Sequence, residues 1–254
     1  MLLQTPPFAP TTLAALQQLG IADQAALRQT GADKAFLLLK AAGLTITESV
    51  LWQLVAVAEN RAPHSVDTEE KQYWRRRIKQ HPPVAVFDPP AQMQYWMHQA
   101  LAEAEQALAN NEVPVGAVVV HQGQMIGRGF NRCVADHNIS HHAEICALTA
   151  ASQALGNYRL DDCDLYVTLE PCSMCTGAIM QARIRRLIFA APEPKSGAAG
   201  SVVNLFADKR LNPHTAVLGG VLADEARALL QRFFQHRRAS AQSDLIPILK
   251  NKPF

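Results

Sequence analysis

The stretch LYVTLEPCSMCTGAIMQARIRRLIFA, residues 165–190, sets the architecture. Leu165 to Leu169 is rich in β-branched and aromatic side chains and reads as a strand. Cys172 to Arg183 reads as a helix, and Arg186 to Ala190 as a second strand. Strands alternating with helices imply a layered α/β sandwich around a mixed sheet. Cys172 and Cys175 open the helix, so this one segment also carries the first candidates for chemistry.

The alternation continues on both sides. Upstream, Gln92 to Asn110 reads as a helix with Trp96, Leu101, Ala104 and Leu108 on its buried stripe. Val113 to Val120 is an apolar strand. His121-Gln-Gly-Gln reads as a hairpin turn before a partner strand, Met125 to Asn131. His141 to Ala154 is a helix. Downstream, Thr215 to Leu218 is a short strand and Leu222 to Arg237 a helix. That makes five strands with helices between them.

Before residue 82 the pattern changes. Leu13, Leu16 and Leu19 precede Gly20, a helix stop. Asp23 can cap a short helix ending near Gly31. Lys34 to Ala42 stops at Gly43, and Thr45-Ile-Thr-Glu starts a helix through Val50, Leu51, Leu54 and Val57. A more polar helix covers Thr68 to Gln80. HPPVAVFDPP, residues 81–90, holds four prolines and reads as an extended linker. The expected organisation is a small all-helical domain at 1–81, a linker at 82–90, an α/β domain at 91–239 and a tail at 240–254.

Composition sets the outer limits. The 254 residues are 48% hydrophobic and 18% charged, a profile of a folded globular chain rather than a disordered or coiled-coil one. Residues 1–90 carry 9 Lys+Arg against 8 Asp+Glu, and residues 91–254 carry 15 against 14, so no basic tail advertises a nucleic-acid partner. No apolar run approaches the roughly 18–20 residues of a membrane span, and the N-terminus shows no signal-peptide pattern. Five cysteines, an odd number confined to the second half, favour metal or catalytic use in a reducing compartment, hence a cytoplasmic protein.

Three residues have the chemistry of a zinc site. In Cys172-x-x-Cys175, both sulfurs sit at the same end of the first helical turn, where the helix N-terminus and a metal favour thiolate. His142 adds a nitrogen. Two thiolates and an imidazole suit Zn²⁺ and leave a fourth tetrahedral position for water, whose pKa falls from about 15.7 to about 7. Glu144, two residues from His142, can enter the same cavity without binding metal and shuttle a proton. A closed alternative exists: Cys146, four residues after His142, could complete a Cys₃His structural site and make the chain a zinc-stabilised binding protein. Cys146 also lies in an apolar run where a buried thiol is ordinary packing. His137 and His141 read as loop or surface histidines, and Cys133 and Cys163 as packing or free thiols.

His142-Ala-Glu144 followed by Pro171-Cys-x-x-Cys175 resembles the signature of the zinc nucleobase deaminases. Residues from about Tyr95 to Arg238 resemble, more narrowly, the bacterial tRNA adenosine deaminases. The match runs through Val113-Pro-Val-Gly-Ala117, Gly129-Phe-Asn-Arg132, Asn157-Tyr-Arg-Leu160, Leu165 to Cys172, Ser196-Gly-Ala-Ala-Gly-Ser201, Phe233-Phe234 and Arg237-Arg238. The resemblance implies a three-layer α/β/α cytidine-deaminase-like fold, a homodimer with one zinc per subunit, and conversion of adenosine to inosine at the wobble position of the tRNA anticodon loop. It makes His142, Cys172 and Cys175 the zinc ligands and Glu144 the proton shuttle. It places Asn131 on the flipped base beside Ala143, and puts Lys195, Phe233, Arg237 and Arg238 in anticodon-contacting regions. The zinc signature alone would also admit deaminases of free bases or nucleosides. Two stretches depart from the family pattern: Asn138-Ile-Ser-His141 stands where Asp-Pro-Thr-Ala is frequent, and Glu193, flanked by Pro192 and Pro194, stands where Asp is common. Residues from about Pro10 to Arg61 resemble the C-terminal domain of the TfoX competence regulators. That resemblance leaves the first domain either a packing add-on or a nucleic-acid binder through Arg75-Arg-Arg77.

Overall fold

The computed structural model describes the backbone of residues 1–250 and side chains as far as residue 238. The chain divides into two compact units, Met1–Phe87 and Asp88–Phe254.

The first unit is helical: α1 (Pro10–Gln18), α2 (Gln24–Thr30), α3 (Ala32–Ala41), α4 (Glu48–Ala58) and α5 (Thr68–Gln80). Asp23 caps α2 by accepting the Ala26 N–H at 2.8 Å. Leu16, Leu27, Phe36, Leu39, Leu51, Leu54 and Val55 form its core. The polar helix α5 is closed by a capping box between Asp67 and Glu70. It docks through Trp74 and Ile78. The basic run on α5 is largely engaged within the unit. Arg75 pairs with Glu48 at 2.7 Å, and Arg77 with the buried Asp33 at 2.7 Å.

The second unit contains α6 (Pro90–Ala109), β1 (Gly116–His121), β2 (Gln124–Phe130), α7 (Ala143–Leu155), β3 (Cys163–Leu169), α8 (Ser173–Ala182), β4 (Arg186–Ala191), β5 (Ala216–Gly219) and α9 (Ala223–Lys250). The five strands form one mixed sheet in the order β2-β1-β3-β4-β5. β1 is antiparallel to both β2 and β3, and β3, β4 and β5 run parallel. Registers Val119↔Leu165 and Leu165↔Leu187 place these residues in one row across the sheet. That row, with Ala117 and Val167, packs with Ala143, Ala147 and Leu148 of α7 and Ile179 of α8. Alternate residues point to the other face, where α6 lies on β1 and β3, and α9 on β3 and β4. The result is the three-layer α/β/α arrangement around a mixed five-stranded sheet.

Boundaries shift where local chemistry intervenes. Pro114 removes a ladder donor, so β1 starts at Gly116 rather than Val113. Pro90, expected in the linker, instead occupies the first position of α6, where its missing N–H costs nothing. α9 runs past residue 237 into the stretch expected as a tail, since no glycine or proline interrupts 223–246. Residues 251–254 of that expected tail lie outside the described residues.

A buried ion network joins the start of this unit to the sheet. Arg186, at the head of β4, donates to Asp88 at 3.0 and 2.8 Å and to Asp164 of β3 at 2.8 Å. Arg185 adds a second guanidinium to Asp164.

Candidate metal and catalytic centre

The centre is assembled by two helix starts. His142 and Cys172 both have extended backbone and stand as the N-caps of α7 and α8. The first helical hydrogen bonds confirm this: Cys146 N–H donates to the His142 carbonyl at 3.0 Å, and Thr176 N–H to the Cys172 carbonyl at 2.8 Å. α7 and α8 lie side by side on the same face of the sheet. The loop after β2 and the Glu170–Pro171 turn after β3 therefore deliver the two caps to one place. Cys175 follows in the first turn of α8.

His142 Nδ1 lies 3.8 Å from Cys172 Sγ and 3.5 Å from Cys175 Sγ. All three donor atoms fall within 4.8 Å of one another. Zinc bonds of about 2.3 Å to sulfur and 2.0–2.1 Å to nitrogen, at tetrahedral angles, separate such donors by about 3.6 Å. The trio thus has the spacing and the donor chemistry of a three-ligand zinc site. Cys172 is the readily ionised thiol, drawn down to about 3 by hydrogen bonds with Cys175 and then His142. Cys175, bonded to Cys172 and buried, is pushed up.

Cys146 does not join the cluster, which among the described residues consists of His142, Cys172 and Cys175. The closed Cys₃His alternative assumed that His142 and Cys146 share a helix face. His142 is instead the cap outside the helix, with φ −71° and ψ 154°, and helical spacing does not apply to it. Cys146 faces β2, against Gly129.

Glu144 lies in the first turn of α7 and is 4% exposed. Burial holds its carboxyl above the ordinary carboxylate range. Asn131, 9% exposed, has its amide oxygen on the Ala143 N–H at 2.9 Å and one amide N–H on the Val113 carbonyl at 3.1 Å. It satisfies an otherwise open donor at the start of α7 and ties that helix to the end of β2. Ala143 itself is buried. Lys195 is exposed, with its backbone N–H held by Glu193 Oε1 at 2.8 Å. Phe233 is 5% exposed, with Arg237 over its ring and Phe234 against its edge. Arg237 and Arg238 are exposed. The aromatic surface available on α9 is therefore Phe234 rather than Phe233.

Two buried carboxylates that hold loops around the centre, Glu112 and Glu170, are absent from the sequence-based candidates. Glu112 accepts the N–H groups of Val134 and Ala135, each at 2.8 Å, and braces the loop leading to His142. Glu170 accepts four donors from the segment after β4. Burial raises its carboxyl, but the Ser201 hydroxyl and the N–H groups of Ser201, Glu193 and Ala199 outweigh this and hold it below its usual range. The only sign in the sequence is position: each is a lone acid at the edge of an apolar run, Glu112 just before Val113 and Glu170 just after Leu165 to Leu169.

Residues 90–191 match the cytidine and deoxycytidylate deaminase zinc-binding region. The tRNA-specific adenosine deaminase of Bacillus subtilis (strain 168) is 40% identical over 147 residues, covering 58% of this chain and 91% of that protein. The enzyme of the same name from Haemophilus influenzae is 46% identical over 143 residues, covering 56% and 83%. The chain belongs to the tRNA-specific adenosine deaminase family. A solved structure from a study of A-to-I editing by tRNA:A34 deaminases at the wobble position of transfer RNA is 43% identical to this deaminase. It superposes with a TM-score of 0.52, covering 54% of this chain and 99% of that one. The deaminase carries, ahead of its zinc-binding unit, a segment at residues 2–78 that matches the TfoX C-terminal domain.

Proposed function

We propose that this deaminase converts adenosine to inosine at position 34 of a tRNA anticodon. The observation that carries the reading is the open trio of His142, Cys172 and Cys175 beside a buried Glu144 that is not a ligand. His142, Cys172 and Cys175 would hold the zinc, which would supply a Lewis acid able to lower the pKa of water toward neutrality. Glu144 takes the proton that this water gives up and delivers it to ring N1. It then takes the remaining proton from the oxygen added at C6 and passes it to the amine as the C6–N bond breaks, so that adenosine and water become inosine and ammonia. A carboxyl raised by its surroundings is suited to both acceptance and donation. Asn131 retains one amide N–H beyond its two internal bonds, enough to contact the base. An unpaired anticodon loop presents that base without the full cost of opening a duplex. Lys195, Phe234, Arg237 and Arg238 stand for the RNA contacts, and the buried Phe233 supports Arg237 from beneath.

The same reading carries a homodimer and a reducing, cytoplasmic setting. All five cysteines are free thiols, and among the described residues no helix is long and apolar enough to cross a membrane. Purified protein is to be incubated with an anticodon stem-loop and, separately, with free adenosine, and inosine quantified at the wobble nucleotide. Inosine in the stem-loop supports the reading. Product from the nucleoside alone overturns it in favour of a free-nucleoside deaminase.

A further inference from the structure

Glu170 stands two residues before Cys172, is 2% exposed, and has both carboxylate oxygens engaged. Oε1 accepts the N–H of Ala199 at 2.9 Å and that of Ser201 at 3.0 Å. Oε2 accepts the N–H of Glu193 at 3.0 Å and the hydroxyl of Ser201. All four donors come from one nine-residue loop, which belongs to no strand of the sheet. Gly197 sits directly on the carboxylate: a Cβ there would lie 2.5 Å from Glu170 Cδ. The loop is also stitched to the ligand-bearing turn. Ala198 N–H donates to the Pro171 carbonyl at 2.8 Å, and Gly197 bridges Cys172. One buried side chain thus takes the place of a hydrogen-bond ladder and fixes where residues 193–201 stand beside the zinc site.

We propose that Glu170 is a positioning residue: its carboxylate holds the Glu193–Ser201 loop, with Lys195 on it, in the shape that receives the anticodon. This rests on the functional reading above and deepens it. The donor count demands a carboxylate. Four converging donors need four lone pairs, whereas a glutamine offers two and turns two N–H groups against the donors. Glu170→Gln keeps the volume and the apolar stem while removing the means of holding the loop.

The test uses the full-length protein with zinc bound. Glu170→Gln is expected to keep one zinc per chain. Trypsin, which cuts after Lys195, is expected to nick this loop about tenfold faster than in the wild type, a change equivalent to about 1.4 kcal/mol of local opening. KM and Kd for the anticodon stem-loop rise by at least as much, while kcat at saturation stays within about threefold. Ser201→Ala removes one of the four bonds. It shows the same changes at smaller size, and it decides the matter should the glutamine variant fail to fold. Zinc loss in both variants, or faster nicking with unchanged stem-loop affinity, overturns the proposal. Where the wild type itself edits no stem-loop, the functional reading falls instead, and the trypsin comparison still shows whether Glu170 sets the loop.

Discussion

Glu144 and Glu170 are both buried carboxylates within two residues of a zinc ligand, and their surroundings move their protons in opposite directions. Glu144 is raised because burial dominates. Glu170 is lowered because the hydroxyl and N–H groups around it outweigh burial. One is left able to exchange a proton, and the other is kept charged to hold backbone. Glu144→Gln should therefore keep zinc and lose turnover by about 10²–10⁴-fold, the usual share of a general acid–base group. A single-turnover assay alongside zinc analysis checks this, and near-normal rates would remove Glu144 from the mechanism. Cys146→Ala should leave one zinc per chain and the deamination rate within about threefold, since the thiol packs against β2 and is no ligand. Metal analysis after dialysis reads the outcome.

At the scale of elements, the position of His142 depends on how closely α7 approaches β2. Gly127 and Gly129 face the helix directly. A Cβ on Gly129 would lie 2.6 Å from the Ala147 nitrogen and 2.8 Å from the Ala143 carbonyl oxygen, both backbone atoms that cannot rotate aside. Gly129→Ala should lift the N-terminal turn of α7, cost about 1–3 kcal/mol as an overpacked contact, and weaken zinc binding as His142 moves. Denaturant titration and competition with a zinc chelator measure the two effects. Much of this was legible beforehand. The alternation from Gln92 to Arg237 specified five strands and their helices, and His142-x-Glu144 with Pro171-Cys-x-x-Cys175 specified the trio. What was not legible follows from physics that periodicity does not carry. His142 and Cys172 look like helix residues in the sequence but are caps, because a cap has helical neighbours and an extended backbone. Pro90 looks like linker but starts a helix. Arg75 and Arg77 look like a basic patch, while their partners Glu48 and Asp33 lie 27 and 44 residues away. Glu170 acts on a loop 23–31 residues further along the chain.

For the whole molecule, the two units have separate cores and only the second holds the zinc ligands. Chelation of zinc should therefore lower hydrogen-exchange protection in α7 and α8 and leave α3 and α4 unchanged, because a ligand stabilises only what it binds. Equal loss in both units would show that they unfold together. The second unit is also closed by the Arg186 network. Asp164→Ala leaves a buried guanidinium short of a partner, and should destabilise this unit by about 3–5 kcal/mol. Urea denaturation gives the value, and a loss below about 1 kcal/mol would mean that Asp88 alone suffices for Arg186.

Everything proposed for the chemistry depends on a metal that this chain does not fully enclose. Zinc K-edge X-ray absorption of the purified protein counts its ligands directly. Two sulfurs at about 2.3 Å and the remainder nitrogen or oxygen at about 2.0–2.1 Å are expected, unchanged in Cys146→Ala. Three sulfurs per zinc, or protein isolated without zinc, would contradict this.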